Sequence, residues 1–213
     1  MEFKLTKSQI EIQKAARDFA KSEFDKELAS EMDKYSVFPR KIYQKAAELG
    51  FTSIHFEEEY LGGGLGFLES VLMAEELSRK DSTLGSAVML SSYGADILSD
   101  FASKELKSCF LADLAEGKRL SGAAIVGSEL DGQLKDSHLK ARQENNSWVI
   151  NGSVKSVVNG NLSGFFIVLC ETDQAAPSQK SHSVILIEKN REGVELLDTG
   201  PKLGLRMTAV ADL

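Results

Sequence analysis

The first half of the chain carries apolar residues at the spacing of amphipathic helices. After Thr6, apolar side chains recur every three or four positions, and Thr6 followed by Gln9 fits a capping box that begins a helix. Two further stretches show the same period, one from Pro39 to Gly50 and one that begins at Leu68. Proline suits a first helical turn, and glycine suits the residue after a last one. The pattern therefore predicts helices in all three stretches.

A glycine-rich loop and two more helices complete this half. The loop runs from Gly62 to Gly66, and its glycines favour a tight turn over regular structure. Residues 83–101 are mostly small and apolar, which predicts one buried helix. Ser103 begins a shorter amphipathic helix that ends at Gly117.

The hydrophobic period changes at Leu120, where short apolar runs replace the helical spacing. Residues 120–126 form the first run, and residues 165–170 and 184–187 form two more. Runs of this length that are rich in aromatic and β-branched residues are typical of strands. The polar residues between the last two runs read as an exposed hairpin loop.

A further hairpin is predicted between the first strand and the later ones. Residues 147–151 and 154–158 are its arms, and Asn151-Gly152 is its turn signal. The loop after the first strand and this hairpin can together form one wall of a ligand site.

The change of period divides the chain near Gly117 to Leu120. We expect an all-α domain over residues 1–118 and a β domain over residues 119–213.

Composition and charge exclude several classes of function. A net charge of -7 argues against general nucleic-acid binding, for which a basic face is expected. No apolar run approaches the roughly 20 residues that span a membrane, and the N-terminus lacks the pattern of a signal peptide. His55, His138 and His182 have no partners at metal-ligand spacing, so we predict no metal site. Cys109 and Cys170 lie in apolar segments, which indicates buried, reduced thiols and a cytoplasmic protein.

Four segments of the chain resemble the acyl-CoA dehydrogenase family. The family's glycine loop and following helix resemble EEYLGGGLGFLESVLMAEELSR, and the stretch before its flavin site resembles residues 81–125. Its hairpin and next strand resemble NGSVKSVVNGNLSGFFIVLC, and a late segment of its β domain resembles GPKLGLRMTAVADL. The resemblance covers the whole chain. It implies an α+β fold in which an N-terminal all-α helical domain is followed by an antiparallel β-barrel-like middle domain.

The resemblance also implies a chemistry. In the family, FAD lies between the β domain and a C-terminal helical bundle. A glutamate removes the α-proton of an acyl thioester while the β-hydrogen leaves as a hydride to the flavin. We therefore expect an oxidoreductase of fatty acid metabolism that acts on an acyl-CoA or acyl-carrier substrate and forms homo- or hetero-oligomers with related subunits.

The resemblance places the candidate cofactor-binding residues in the first strand, in the loop that follows it and in the hairpin. Backbone amides that could bond the flavin ring belong to Ala123, Ile125, Val126 and Val158. Val126 and Val158 fall on two flavin-facing threonines of the family. Gly132 falls on its phosphate-facing serine, and Ser156 falls on its stacking aromatic residue.

These replacements weaken the expected flavin site. Two or three lost hydrogen bonds at about 1 kcal/mol each, and one lost aromatic stack at about 1 kcal/mol, remove roughly 3–4 kcal/mol. That free energy corresponds to a loss of about two to three decades of affinity. We therefore expect FAD to bind this chain alone weakly or not at all.

Two residues are candidates for contact with the substrate. Tyr93 lies in the segment that resembles the acyl-lining helix, where it is either a core residue or a wall of the substrate site. Ser128, with glycines near it on both sides, offers a hydroxyl and backbone amides to a phosphate, although Glu129 and Asp131 oppose an anion there.

Two other conspicuous side chains have structural interpretations. We expect Trp148 to pack within the β domain, and we expect Arg206 to form a structural salt bridge.

The catalytic base is unknown. Leu213 falls inside the segment that the resemblance assigns to the end of the β domain, so we expect the bundle that carries the family's glutamate to be missing from these residues. The carboxylates near the glycine loop, Glu57, Glu58 and Glu59, are expected to be solvated. We therefore expect no dehydrogenation of acyl-CoA by this chain alone. Three functions stay open: a fragment of a working acyl-CoA dehydrogenase, a flavin-poor non-catalytic partner subunit of a heteromeric enzyme, and a related flavin oxidase or monooxygenase on a carrier-bound substrate.

Overall fold

The described residues of the computed structural model form two compact units. Those residues are 4–125, 139–145, 147–173, 175–176 and 181–213. The helical unit takes in the chain up to Leu120 together with Pro201–Ala209, and the β unit takes in Ser121–Gly200 and Val210–Leu213. The helical unit therefore includes a short segment from late in the sequence.

The helical unit consists of helices joined by short turns. In the described part of the chain these are α1 (Lys7–Glu23), α2 (Lys26–Tyr35), α3 (Arg40–Glu48), a 3-10 turn (Glu58–Tyr60), α4 (Phe67–Lys80), α5 (Ser82–Met89), α6 (Ala95–Phe101) and α7 (Lys104–Ala115).

The predicted helix signals are confirmed at three helices. The Gln9 amide donates to Thr6 Oγ1 over 3.2 Å, and the Thr6 amide donates to Gln9 Oε1 over 2.9 Å, which completes the capping box of α1. Pro39 occupies the N-cap of α3. Ser103 caps α7, accepting a hydrogen bond from the Leu106 amide.

Two helix predictions are wrong. The sequence pattern missed α2, whose N-cap Asp25 accepts from the Leu28 amide and which buries only Ala29. The single helix expected over residues 83–101 is two helices, because the chain turns between α5 and α6 and Gly94 adopts a φ of 84°. A left-handed residue cannot continue a right-handed helix, so α6 begins after it.

The core of the helical unit is aromatic and aliphatic. Phe19 contacts Phe51 edge to face, with ring centroids 5.3 Å apart. Met207, from the late segment, is buried in the same cluster. Beside it, Arg206 Nε donates to Asp33 Oδ2 over 2.9 Å, which confirms the predicted structural salt bridge.

The glycine loop is a tight turn, as predicted. A Cβ added to Gly62 would lie 2.1 Å from the Phe56 carbonyl oxygen, so the backbone passes where no side chain fits. Within the turn, the Gly64 amide donates to the Phe56 carbonyl over 2.8 Å.

The β unit contains two sheets in its described residues. The strands are β1 (Ser121–Ala124), β2 (Leu139–Glu144), β3 (Ser147–Gly152), β4 (Val157–Val158), β5 (Phe165–Glu171), β6 (His182–Glu188), β7 (Leu197–Asp198) and β8 (Val210–Asp212). The larger sheet has the order β1-β5-β2-β3, with β6 also on β5, and the smaller has the order β4-β8-β7.

The α+β fold class is confirmed, but the larger sheet is mixed rather than antiparallel throughout. β1 runs parallel to β5, with Ala123 opposite Ile167, and β2 meets β5 in parallel at Lys140 and Glu171. β5 is central and buried on both faces, as its apolar sequence predicts.

The predicted hairpin is wrong in its partner and its turn. β3 pairs with β2, from Leu139 opposite Gly152 to Glu144 opposite Ser147. Gly152 is therefore a strand residue, and the chain reverses beyond Glu144, where Asn145 has a φ of 55°. The second predicted arm forms β4, which pairs with β8 instead.

Two side chains of the apolar segments are more exposed than the sequence indicated. Trp148 is 46% exposed on β3, so its packing within the β domain is only partial. Cys109 is exposed on α7, whereas Cys170 is buried in β5 as expected.

Candidate functional site

The predicted cofactor-binding residues of the β unit converge where β1 approaches β4. We name this contact the β1–β4 wall and define it by Gly122, Ala123, Ile125, Val158 and Asn159. All four residues of β1 are buried, and Ile125 follows them as a half-buried residue. In the described part of the chain β1 is an edge strand of its sheet, so its outer edge is not used by a neighbouring strand of that sheet.

Glycine at position 122 permits the approach of the two backbones. A Cβ placed on Gly122 would lie 2.8 Å from the Val158 carbonyl oxygen and 2.8 Å from Ser163 Oγ. It would also lie 2.9 Å from a ring carbon of Phe166. Any larger residue would push β4 away from β1, so this glycine sets the distance between them.

Asn159 fixes the approach with a buried hydrogen bond. Its side chain is fully buried, and Nδ2 donates to the Ser121 carbonyl over 2.9 Å. Its backbone has a φ of 61°, a conformation that asparagine tolerates better than most residues. The Asn159 carbonyl in turn accepts from Ser163 Oγ over 2.9 Å.

No role was predicted from the sequence for Asn159 or Gly160. The available signal was the Asn-Gly pair directly after a strand, which marks a left-handed position followed by a close approach. A Cβ on Gly160 would lie 2.5 Å from the Ala211 Cβ, so this glycine packs tightly against β8.

Ser156 precedes β4 in a strained conformation. Its φ is 60°, and its amide donates to Asp212 Oδ1 over 2.8 Å. No local pattern connects Asp212 with this position, because β8 lies more than fifty residues away in the chain. The hydroxymethyl group of Ser156 is exposed and offers no ring on which a flavin could stack.

Of the remaining predicted site residues, the structure describes only Tyr93. Val126, Ser128 and Gly132 lie outside the described residues. Tyr93 belongs to the helical unit, in the turn between α5 and α6, where its amide donates to the Leu90 carbonyl over 3.1 Å. Its side chain is 40% exposed, which leaves an accessible face.

What the wall could offer a flavin is backbone groups rather than side chains, since the side chains at Ala123 and Ser156 are small. The space beside Gly122 itself is not open to a ring, because the Val158 carbonyl, Ser163 Oγ and Phe166 fill it. The described residues of the wall supply no hydroxyl at Val158 and no aromatic ring at Ser156. A ring bound here would therefore depend on main-chain hydrogen bonds and shape.

A separate cavity of about 430 Å³ lies elsewhere in the β unit. Its apolar lining includes Leu139, Ile150 and Leu213, and its charged lining includes Lys155 and Asp212. Among the predicted site residues that the structure describes, none lines this cavity.

Two classes of site find no support in the described residues. Across them, no three His, Cys, Asp or Glu side chains gather closely enough to hold a metal ion. The helices described here include none with the length and apolarity needed to cross a membrane.

Burial raises the pKa of the Cys170 thiol to about 11, so this buried cysteine is a packing residue rather than a nucleophile.

Two family models match the chain. The model of the N-terminal domain of acyl-CoA dehydrogenases matches residues 6–118, and the model of their middle domain matches residues 126–213.

Individual proteins are similar over the whole chain. The short-chain specific acyl-CoA dehydrogenase of Clostridium acetobutylicum is 29% identical, covering 100% of this chain and 56% of its own length. A solved structure of an electron transferring flavoprotein of Acidaminococcus fermentans has a TM-score of 0.88 at 29% identity, covering 100% of this chain and 56% of that one. PigA with FAD and proline has a TM-score of 0.87 at 25% identity, with the same coverage of 100% and 56%. The chain thus spans about half the length of the curated relatives it matches.

Proposed function

Because this chain belongs to the acyl-CoA dehydrogenase family, we propose that it is part of a flavoprotein that dehydrogenates an acyl-CoA thioester. The reaction removes a proton from the α-carbon and a hydride from the β-carbon, so that a carbon–carbon double bond forms between them. FAD, when bound, supplies the acceptor for that hydride. The similarity to a short-chain specific acyl-CoA dehydrogenase supports a small acyl group as the substrate class.

The observation that carries this proposal is the approach of β1 to β4 at Gly122. At this point Gly122 lies against the Val158 carbonyl of β4, and Ala123 and Ile125 follow Gly122 along the chain. We assign the backbone groups of Ala123, Ile125 and Val158 to the edge of the flavin ring. Asn159 is assigned a positioning role, because its hydrogen bond to Ser121 holds the two strands in place.

We also propose roles for the two domains and for the predicted residues outside the β1–β4 wall. We assign residues 1–118 to the helical domain and residues 119–213 to the flavin-contacting β domain. Tyr93 is proposed as a wall of the acyl site, which its exposed face supports. Val126, Ser128 and Gly132 retain their proposed places near the ring and the phosphates. No residue of this chain is assigned as the base that takes the α-proton.

Two features of the wall favour a second candidate function. At Ser156 the flavin-stacking ring of the family is replaced by a hydroxymethyl group. The Ser156 amide already donates its hydrogen bond to Asp212 Oδ1. At Val158 a hydroxyl donor is replaced by a methyl group. Both changes favour a flavin-poor partner subunit that supports a catalytic sister chain.

A flavin titration distinguishes the two functions. We would titrate FAD with the purified chain, follow the quenching of flavin fluorescence, and compare it with the triple variant Val126→Thr, Ser156→Trp and Val158→Thr. The wild type is expected to bind FAD in the micromolar range, and the triple variant at least about tenfold tighter, as one or two regained contacts allow. Butyryl-CoA that binds beside the flavin is expected to shift its visible absorption bands without bleaching them, because this chain alone is not expected to dehydrogenate the substrate.

The control is a triple variant with the same replacements at exposed positions, Val37→Thr, Ser147→Trp and Val184→Thr, which is expected to leave FAD affinity unchanged. If neither the wild type nor the first triple variant binds FAD, the partner-subunit function is favoured. If FAD binds and butyryl-CoA leaves the spectrum unchanged, the acyl-CoA assignment is wrong.

A further inference from the structure

A basic cleft lies between α1 and α4 in the helical unit. It has a volume of about 400 Å³ and is lined by Arg17, Lys21, Glu76, Arg79 and Lys80. We name it the α1–α4 cleft. The two helices run parallel, because Gln9 bonds Glu69 near their starts and Arg17 bonds Glu76 in their second halves. Both C-termini therefore lie at the cleft.

Glu76 is the carboxylate of the cleft, and both of its oxygens already accept hydrogen bonds from Arg17. Its side chain is 3% exposed, and it accepts from Arg17 Nε over 2.9 Å and from Arg17 Nη2 over 2.6 Å. The hydrogen bonds from Arg17 hold the pKa of Glu76 below its ordinary value, so it is ionised at neutral pH. This two-point contact fixes the Arg17 guanidinium at one side of the cleft.

Cationic side chains in a last helical turn ordinarily compensate the negative end of the helix dipole. In this cleft their positive charge is larger than the negative charge of the two helix ends. The cleft holds four cationic side chains and one carboxylate. Two helix C-termini contribute about −0.5 charge each, which leaves a local charge of about +2. Neighbouring carboxylates reduce this excess without cancelling it: Asp18 attracts Arg17, whereas Glu23 pairs with Lys45 and Asp81 accepts from the backbone amides at the start of α5. This excess stands out in a chain whose net charge is -7.

The shape of the cleft favours a small ligand. A concave volume of about 400 Å³ lies within the range of small-molecule sites, roughly 300–1,000 Å³. Guanidinium groups bind phosphate oxygens in pairs, and ammonium groups bind them as point charges. We propose that the α1–α4 cleft binds a small phosphorylated metabolite through its phosphate groups. The cleft lies in the helical unit, whereas the proposed flavin wall belongs to the β unit.

Inorganic pyrophosphate serves as the probe. We would titrate it into the full chain by isothermal titration calorimetry and compare the wild type with the double variant Arg79→Gln and Lys80→Gln. The wild type is expected to bind one pyrophosphate saturably, and raising the salt from about 50 to about 200 mM should weaken the binding. The double variant is expected to bind at least about tenfold more weakly, a loss of about 1.4 kcal/mol.

The matched control removes two cations elsewhere. Lys26→Gln with Lys41→Gln makes the same change in net charge at exposed positions outside the cleft, and it is expected to leave the affinity unchanged. An equal loss in this control would mean that pyrophosphate responds only to net charge, and the site would be rejected. The absence of saturable heat with the wild type, or unchanged affinity in the cleft variant, would also overturn it. Far-UV circular dichroism of each variant checks that the helices are retained.

Discussion

Replacing Asn159 tests whether one buried hydrogen bond holds the β1–β4 wall. In Asn159→Gly the donor to the Ser121 carbonyl is lost, but the left-handed backbone stays free of strain. Both groups are fully buried, so the loss is expected to cost about 1–3 kcal/mol. Asn159→Ala adds the penalty of a Cβ in the left-handed region, about 1 kcal/mol more. The pair of variants thus separates the hydrogen bond from the backbone conformation.

The chain offers a local reporter for this experiment. Trp148 is its single tryptophan and lies on β3, so its fluorescence follows the unfolding of the β unit. With a urea m-value of about 1–3 kcal/mol per molar, the expected loss in Asn159→Gly moves the midpoint down by on the order of 1 M. FAD affinity measured on the same samples is expected to fall as well, because the two strands are no longer held at a fixed distance.

A midpoint in Asn159→Gly that matches the wild type would refute this reasoning. A shift in Asn159→Ala alone would then mean that the residue is retained only for its backbone conformation. A loss of stability without any change in FAD affinity would separate the hydrogen bond from the flavin site.

Two further predictions concern individual side chains. Glu76→Gln is expected to destabilise the helical unit by roughly 1–2 kcal/mol at neutral pH, a value reduced because Arg17 is 46% exposed. Because the folded-state pKa of Glu76 is lowered from 4.5, its contribution is present above that pH and is lost as the pH falls through the folded value, so thermal unfolding of the two proteins should converge in acid. For the thiols, Cys109 is expected to react with Ellman's reagent at about pH 8, and Cys170 only after unfolding, since burial raises its pKa to about 11. That neutral thiol stabilises the fold below pH 9.0, and its contribution is lost as the pH rises toward 11. Two fast thiols in the native protein would contradict the burial of Cys170.

The sequence predicted best what is decided within a few residues. The capping box at Thr6 and Gln9 and the cap at Ser103 depend on side chains three residues from the amides they bond. Such signals are visible in any short window. The helix α2 was missed because it buries little more than Ala29, so its hydrophobic stripe is too weak to show a period.

The predictions were wrong where the pairing of a strand depends on residues far away in the sequence. Asn151-Gly152 has the composition of a hairpin turn, but β2 extends the pairing to Gly152 and shifts the reversal beyond Glu144. The contacts of the β1–β4 wall could not be predicted for the same reason. Gly122 and Asn159 are separated by more than thirty residues, and only the fold places the Val158 carbonyl where a side chain on Gly122 would have been.

The late segment of the helical unit has a consequence for synthesis on the ribosome. Asp33 forms its ion pair with Arg206, 173 residues later in the chain. The core around Phe19 and Phe51 is complete only after Met207 has been synthesised. Contacts of such long range are slow to form. The helices must therefore leave the ribosome as an open, partly packed assembly while more than eighty further residues are translated. The apolar surface exposed in that interval is where a chaperone would bind the nascent chain.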